Sequence, residues 1–130
     1  MHSEPIPAET EAVARNVVDA ALKVHRALGP GLLESVYEAC LCHELGKRGV
    51  RYERQLTVPI RYDDITIDSG LRLDLAIENV LIVELKAVEQ TLPLHQAQLL
   101  TYLKLTGVRL GLLINFNVPL LKDGIRRVAL

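Results

Sequence analysis

Between Leu71 and Lys86 the chain reads LRLDLAIENVLIVELK, with apolar and polar positions alternating on both sides of a short break. Side chains alternate between the faces of a strand. Leu71, Leu73, Leu75 and Ile77 therefore fall on one face and Arg72, Asp74 and Ala76 on the other, while Leu81, Val83 and Leu85 oppose Ile82, Glu84 and Lys86. A turn made of Glu78 and Asn79 alone would pair Asp74 with Val83 and throw the two apolar rows onto opposite faces, a costly register. A loop over residues 78–80 pairs Ile77 with Leu81 and Asp74 with Glu84 and keeps the rows aligned, which predicts an odd-length loop or a bulge there. Asp74, Glu84 and Lys86 would then share one polar face.

Elsewhere the pattern is helical or continuous. Residues 1–9, with Pro5 and Pro7, read as an irregular lead-in, followed by Thr10 as N-cap and Glu11 in the favourable first turn. Val13, Val17, Ala20, Ala21, Val24 and Leu28 recur at helical spacing until Gly29-Pro30-Gly31. A second helix is expected from about Leu32 to Arg48, stopping at Gly49. Tyr52 to Ile60 reads as a strand in which Pro59 marks an edge or a bulge, and Arg61 to Ile67 contains an Asp63-Asp64 turn. Thr91-Leu92-Pro93 opens a third helix to about Thr106, closed by Gly107. Arg109 to Phe116 is apolar without alternation, as in a strand buried on both faces, and Ile125 to Ala129 follows a Lys122-Asp123-Gly124 turn. This order predicts an α/β (α+β) fold in one domain: a central mixed sheet flanked by helices, with a right-handed crossover laying Arg109–Phe116 parallel to Val80–Lys86.

Composition narrows the function classes. The formal net charge is -1 over 130 residues, so any nucleic-acid binding has to come from a local patch. Lys104, Arg109, Lys122, Arg126 and Arg127 face only Asp123 in the last stretch of chain and could form a basic rim, or an ordinary solvated surface. Cys40 and Cys42 lie two apart in a helical run and cannot easily bridge, and with no further cysteine there is no zinc or iron–sulfur ligand set. The N-terminus has neither a basic nor an apolar signal region, and no apolar run is long enough to cross a membrane. The expected compartment is the cytoplasm.

The candidate chemistry lies in the alternating stretch. Two carboxylates set as cross-strand neighbours repel by roughly 4 kcal/mol at ~4 Å and an effective dielectric near 20. Lys86 offsets part of this, and a hard divalent cation suits the rest, since Mg²⁺ takes one or two carboxylates, keeps several waters and accepts a phosphate oxygen. Such an ion activates water, which a lysine ammonium beside it can orient. The plain alternative is an acidic and basic strand face with no chemistry. Glu34, near Leu33, Val36 and Tyr37, sits in a neighbourhood that looks inward and is either a charge favoured at a helix start or a further acid beside the metal. Gln98 and Tyr102 lie four residues apart on the third helix with His95 on the same side, placed to hold a phosphate or orient Lys86, or else to form ordinary surface hydrogen bonds. His25 and His43 have no metal-ligand spacing and read as packed or solvated.

Gly31-Leu32-Leu33-Glu34-Ser35-Val36-Tyr37, preceded by VHRALGP, resembles the namesake motif of the GxxExxY protein family. RLDLAIEN, LIVELKAVE, HQAQLLTYLKLTG, GLLINF and LLKDGIRRV resemble the same family, so the likeness runs from Val24 to Val128. That family is placed in the PD-(D/E)XK nuclease superfamily, with a restriction-endonuclease-like core. The resemblance maps its pattern onto Asp74, Glu84 and Lys86 with Glu34 on the preceding helix; Leu73 stands where the superfamily name has proline. Gln98-Leu99-Leu100-Thr101-Tyr102 is similar to the Q-x₃-Y helix motif of the RecB-like branch. The resemblance implies a Mg²⁺- or Mn²⁺-dependent deoxyribonuclease. In it Asp74, Glu84, the Leu85 carbonyl and Glu34 serve the metal, Lys86 serves the water, and Gln98 and Tyr102 orient Lys86 or the phosphate. Arg72, Lys104, Arg126 and Arg127 are candidate DNA contacts. The rival is a non-catalytic module with the nuclease fold that binds nucleic acid or a protein, supported by the shortage of basic and aromatic groups. A homodimer would cover an apolar helix face, and a partner protein could supply target selection.

Overall fold

In the computed structural model, which describes residues 4–130, three α-helices flank one five-stranded mixed sheet. The helices are α1 (Ala8–Leu28), α2 (Glu34–Lys47) and α3 (Pro93–Thr106), and the strands β1 (Tyr52–Tyr62), β2 (Ile65–Ile77), β3 (Leu81–Lys86), β4 (Leu110–Asn115) and β5 (Ile125–Ala129). The strands lie in the order β1-β2-β3-β4-β5. Among the described residues only the β3–β4 pair is parallel, joined through α3 as expected from the pattern. Of the lead-in, residues 1–3 lie outside the described residues.

Two local boundaries differ from expectation for clear reasons. The first helix begins at Ala8 with Pro7 at its N-cap, and Thr10 is buried inside its first turn. Proline is tolerated at a helix start because an N–H would have no intrahelical partner there. The second helix starts at Glu34, not Leu32, because Tyr37 Oη accepts the Leu32 N–H at 3.1 Å and donates to the Gly29 carbonyl at 2.6 Å. The Tyr37 ring stacks on Phe116 with centroids 4.6 Å apart. Gly31, at φ +99°, turns the chain between these anchors. The defining residues of the G-x-x-E-x-x-Y stretch thus divide the work, with Gly31 making the turn, Tyr37 pinning it and Glu34 opening the helix.

The sheet separates two apolar layers. Against α1 and α2 lie Leu75, Ile77, Leu81, Val83, Leu85, Leu110, Leu112 and Ile114. Against Leu99 and Leu103 of α3 lie Leu71, Leu73, Ile82 and Leu113. Every residue of β4 is buried, as its unbroken apolar run requires. Buried His25 donates from Nε2 to the Val118 carbonyl at 2.8 Å and is therefore a packed histidine, whereas His43 is exposed. Cys40 and Cys42 are free thiols.

The expected common face for Leu71, Leu73, Leu75 and Ile77 does not hold. Leu71 and Leu73 pack on the α3 side and Leu75 and Ile77 on the α1–α2 side, so β2 turns over at Asp74. On the β1 side the ladder runs Arg54↔Leu75 then Leu56↔Leu73, skipping Gln55 and Asp74, and Gln55 adopts φ +50°. On the β3 side the pairs Ile77↔Leu81, Ala76↔Ile82 and Leu75↔Val83 match the expected register before pairing stops. Glu78 and Asn79 both take positive φ, and Val80 N–H donates to the Ile77 carbonyl, giving the odd-length turn.

Pro59 lies on edge strand β1, where the register slips between Val58 and Ile60. Asp68, Ser69 and Gly70 bulge out of β2 opposite it. A Cβ at Gly70 would come within 2.6 Å of the Ile60 side chain, so the bulge requires glycine. Beyond it the β1–β2 hairpin extends with Tyr62, Ile65 and Ile67 exposed.

Candidate active site

Asp74 is unpaired on both edges, and its neighbours fill the gap with side chains. Where the next ladder pair with β3 would form, Asp74 N–H donates to Glu84 Oε2 at 2.8 Å and Leu85 N–H donates to Asp74 Oδ2 at 2.9 Å. The two carboxylates therefore meet, as the register implied. They do so by replacing backbone partners in the opened seam rather than by standing together on a flat face. Glu84 is 7% exposed. Its cross-strand partner Leu113 packs toward α3, which puts Glu84 and Lys86 on that side of β3. In an extended strand N–H and C=O of one residue point to the same edge, so the Leu85 carbonyl also faces Asp74.

The other elements converge on this seam at the C-terminal end of β3, the end where parallel strands commonly place ligands. Glu34, in the first turn of α2, lies within the fields of Asp74 and Lys86 and beside the Ala87 N–H. Its surroundings are more open than the sequence suggested, with Glu34, Leu33 and Val36 exposed and only Tyr37 buried. From α3, half-buried Tyr102 feels the charges of Glu84 and Asp74 and has the exposed Gln98 side chain beside its hydroxyl. His95 has a structural role instead, its Nδ1 accepting the Leu92 N–H at 3.0 Å at the helix start.

Burial and neighbouring charge raise the proton affinity of two acids here. Burial, then the Asp74 charge, pushes the Glu84 carboxyl up to about 8, against the opposing pull of the Asp74 N–H and of Lys86. The Glu34 carboxyl is raised for the same two leading reasons, burial and Asp74. Burial followed by the two carboxylates raises the Tyr102 phenol.

The basic residues divide. Arg126 stands in one cross-strand row with Leu113 and Glu84, two strands from Glu84, about 10 Å away. Lys104 is exposed in the last turn of α3, six residues beyond Gln98 and so about 9 Å farther along the helix. Arg127 points the other way: it shares the α1-side row of Leu112 and forms two hydrogen bonds with Glu11 at 2.7 and 2.6 Å. Arg72 alternates with Leu71 and Leu73 and therefore points away from α3.

A cluster behind Asp74 escapes the pattern altogether. Glu38, one helical turn after Glu34 and 9% exposed, accepts from Arg54 Nε and Nη2 at 3.2 and 3.0 Å and from Gln55 Nε2 at 2.7 Å. Gln55 Nε2 also reaches Asp74 Oδ1 at 3.4 Å. The Glu34/Glu38 spacing is a visible signal, since residues four apart share a helix face. The left-handed Gln55 backbone leaves none.

A family model of the PD-(D/E)XK nuclease superfamily matches residues 11–128. The chain belongs to the PD-(D/E)XK nuclease superfamily. The mixed sheet flanked by helices agrees with the restriction-endonuclease-like core of that superfamily. No curated protein and no solved structure matches the chain significantly. Among the described residues no helix is long and apolar enough to cross a membrane. PD-(D/E)XK nucleases generally use divalent metals, and the oxygens within the seam, those of Asp74 and Glu84 with the Leu85 carbonyl, are the hard donors such an ion takes. Among the described residues no three His, Cys, Asp or Glu side chains form a ready cage.

Proposed function

We propose that this chain is a Mg²⁺- or Mn²⁺-dependent nuclease that hydrolyses phosphodiester bonds in DNA, belongs to the GxxExxY group with the RecB-like Q-x₃-Y feature, and works in the cytoplasm. The observation that carries the reading is the seam opened at Asp74. There two carboxylates displace sheet hydrogen bonds at the C-terminal end of a parallel strand, with a lysine two residues beyond and a buried acid whose proton affinity is raised to about 8. A structural ladder has no use for two acids in place of its backbone hydrogen bonds, whereas a cation site does.

Asp74 and Glu84 would hold the ion, with the Leu85 carbonyl and Glu34 as further donors. When bound, a divalent cation lowers the pKa of water and neutralises charge growing on the phosphate. Lys86 would hold the attacking water in line by hydrogen bonding and set its positive charge against the phosphate oxygens. Gln98 and Tyr102, both donors on α3, would orient the phosphate or the Lys86 ammonium. The raised Tyr102 phenol stays protonated and so remains a donor. Of the four expected DNA contacts, Arg126 and Lys104 are the two on the site's side of the sheet. The other expected contacts, Arg72 and Arg127, point away.

The test is cleavage of end-labelled and circular single- and double-stranded DNA by purified protein with Mg²⁺, Mn²⁺ or EDTA, beside Lys86→Ala. Metal-dependent cutting lost in the variant supports the nuclease. Retained folding with neither cutting nor metal binding would favour the non-catalytic module, a reading supported by the engagement of Arg54 and Arg127 in ion pairs with Glu38 and Glu11.

A further inference from the structure

We infer that Gln55 is a positioning residue that holds Asp74 ready for its cation, with Glu38 and Arg54 as its anchor. The inference deepens the proposed metal-dependent nuclease and rests on that reading. It begins with backbone strain. Gln55 sits within a β-strand at φ +50°, a region that residues with a Cβ seldom occupy, and it does so opposite Asp74, where the β1–β2 ladder skips a pair. Strain of this kind persists only where surrounding contacts over-determine it.

Those contacts are visible. The amide nitrogen of Gln55 has two protons, and its two acceptors are carboxylates: Glu38 Oε1 at 2.7 Å and Asp74 Oδ1 at 3.4 Å. The other oxygen of Glu38 is clamped by Arg54. The other oxygen of Asp74 is clamped by Leu85 N–H. Asp74 is thus restrained through both oxygens, one from each neighbouring strand, while each oxygen keeps lone-pair capacity for an ion.

The residue type matters. An amide restrains Asp74 without adding charge, so the carboxylate keeps its full attraction for a cation; a lysine or arginine in the same place would compete with the ion. Arg54 is kept one carboxylate away, its charge answered by Glu38. Partners that orient a ligating carboxylate typically change metal affinity by about ten- to a hundred-fold when removed.

The experiment compares Mn²⁺ binding to the full chain, read from the EPR signal of free Mn²⁺, for the natural protein, Gln55→Gly, Gln55→Asn and Asp74→Ala, with thermal midpoints and Leu85 amide exchange measured without metal. Glycine and asparagine both accept the left-handed backbone, and neither carries an amide long enough to span Glu38 and Asp74. The expected result is Mn²⁺ affinity about ten- to a hundred-fold weaker in both Gln55 variants, faster Leu85 exchange, and thermal midpoints at or above the natural value. Unchanged Mn²⁺ affinity in Gln55→Gly, with binding abolished by Asp74→Ala, overturns the positioning role and leaves the nuclease reading standing. Absence of Mn²⁺ binding in the natural protein overturns the nuclease reading and the positioning role with it.

Discussion

Strand β3 has one closed edge and one open edge. Toward β4 it makes six consecutive pairs, from Leu81↔Leu110 to Lys86↔Asn115, and Phe116 N–H extends the ladder to the Lys86 carbonyl. Toward β2 it makes three pairs and then yields to Asp74 and Glu84. The same six residues serve both edges, so the difference comes from what faces them. On the closed side an apolar strand buried on both faces has only backbone groups to satisfy; on the open side an acid on each strand captures the neighbour's N–H. Even the end of the closed edge is reinforced, since buried Asn115 exchanges hydrogen bonds with both the N–H and the carbonyl of Val88. The closed edge holds Glu84 and Lys86 in place, while the open edge leaves the Glu84 carboxyl facing the Asp74 N–H in place of a ladder bond.

The sharpest way to break this contrast is Lys86→Ala. It should lower DNA cleavage about 10³-fold, the upper range for losing one donor to developing charge, with little change in the thermal midpoint. Initial rates beside a melting curve check it, and near-normal cleavage would remove the open edge as the reaction site. On the closed edge, Leu113→Ala deletes a fully buried side chain directly across from Glu84. Urea unfolding should show a loss of about 3 kcal/mol. A loss below about 1 kcal/mol would mean that the closed edge is not the rigid one.

A third prediction concerns protons. Because the folded protein raises the Glu84 carboxyl from 4.5 to about 8, folding retains a proton that the unfolded chain releases. That contribution is complete below about pH 4.5 and is lost as pH rises through about 8. Metal-free stability should therefore fall by up to about 1.4 kcal/mol per pH unit across this window from this group. Glu84→Gln should flatten the slope, as denaturant titrations at several pH values would reveal; an unchanged slope would place the proton elsewhere. Smallest of all, Arg126→Ala should weaken DNA binding and reduce its salt slope by about one, while Arg127→Ala, which breaks a partly exposed pair with Glu11 on the far side, should leave that slope alone. Equal effects would contradict the two-sided arrangement.

Much of this is legible in the pattern. The register of the β2–β3 turn follows from keeping apolar rows aligned, and the parallel β3–β4 pair follows from an unalternating apolar run after a helix. That Glu34, Glu84 and Tyr102 feel the Asp74 charge accords with the grouping that the family resemblance implies. What alternation cannot reveal is its own failure at Asp74: a strand that turns over keeps the same sequence of apolar and polar letters while exchanging faces. The same local event hides Gln55, whose left-handed backbone leaves no mark on composition. Arg127 escapes for a different reason, because its partner Glu11 lies at the other end of the chain and charge counted along a segment does not see across it.

The stack of Tyr37 on Phe116 has a consequence for how this chain can vary. It ties the entrance of α2 to the end of β4, two segments far apart in sequence, and Glu34 lies one helical turn ahead of that tie. Each residue of an α-helix turns by about 100°. A single residue inserted or deleted between Glu34 and Tyr37 would therefore swing the carboxylate a quarter-turn or more off the seam while leaving every core contact of Tyr37 intact. Like the odd-length turn between β2 and β3, this short stretch works as a gauge, intolerant of any change in length.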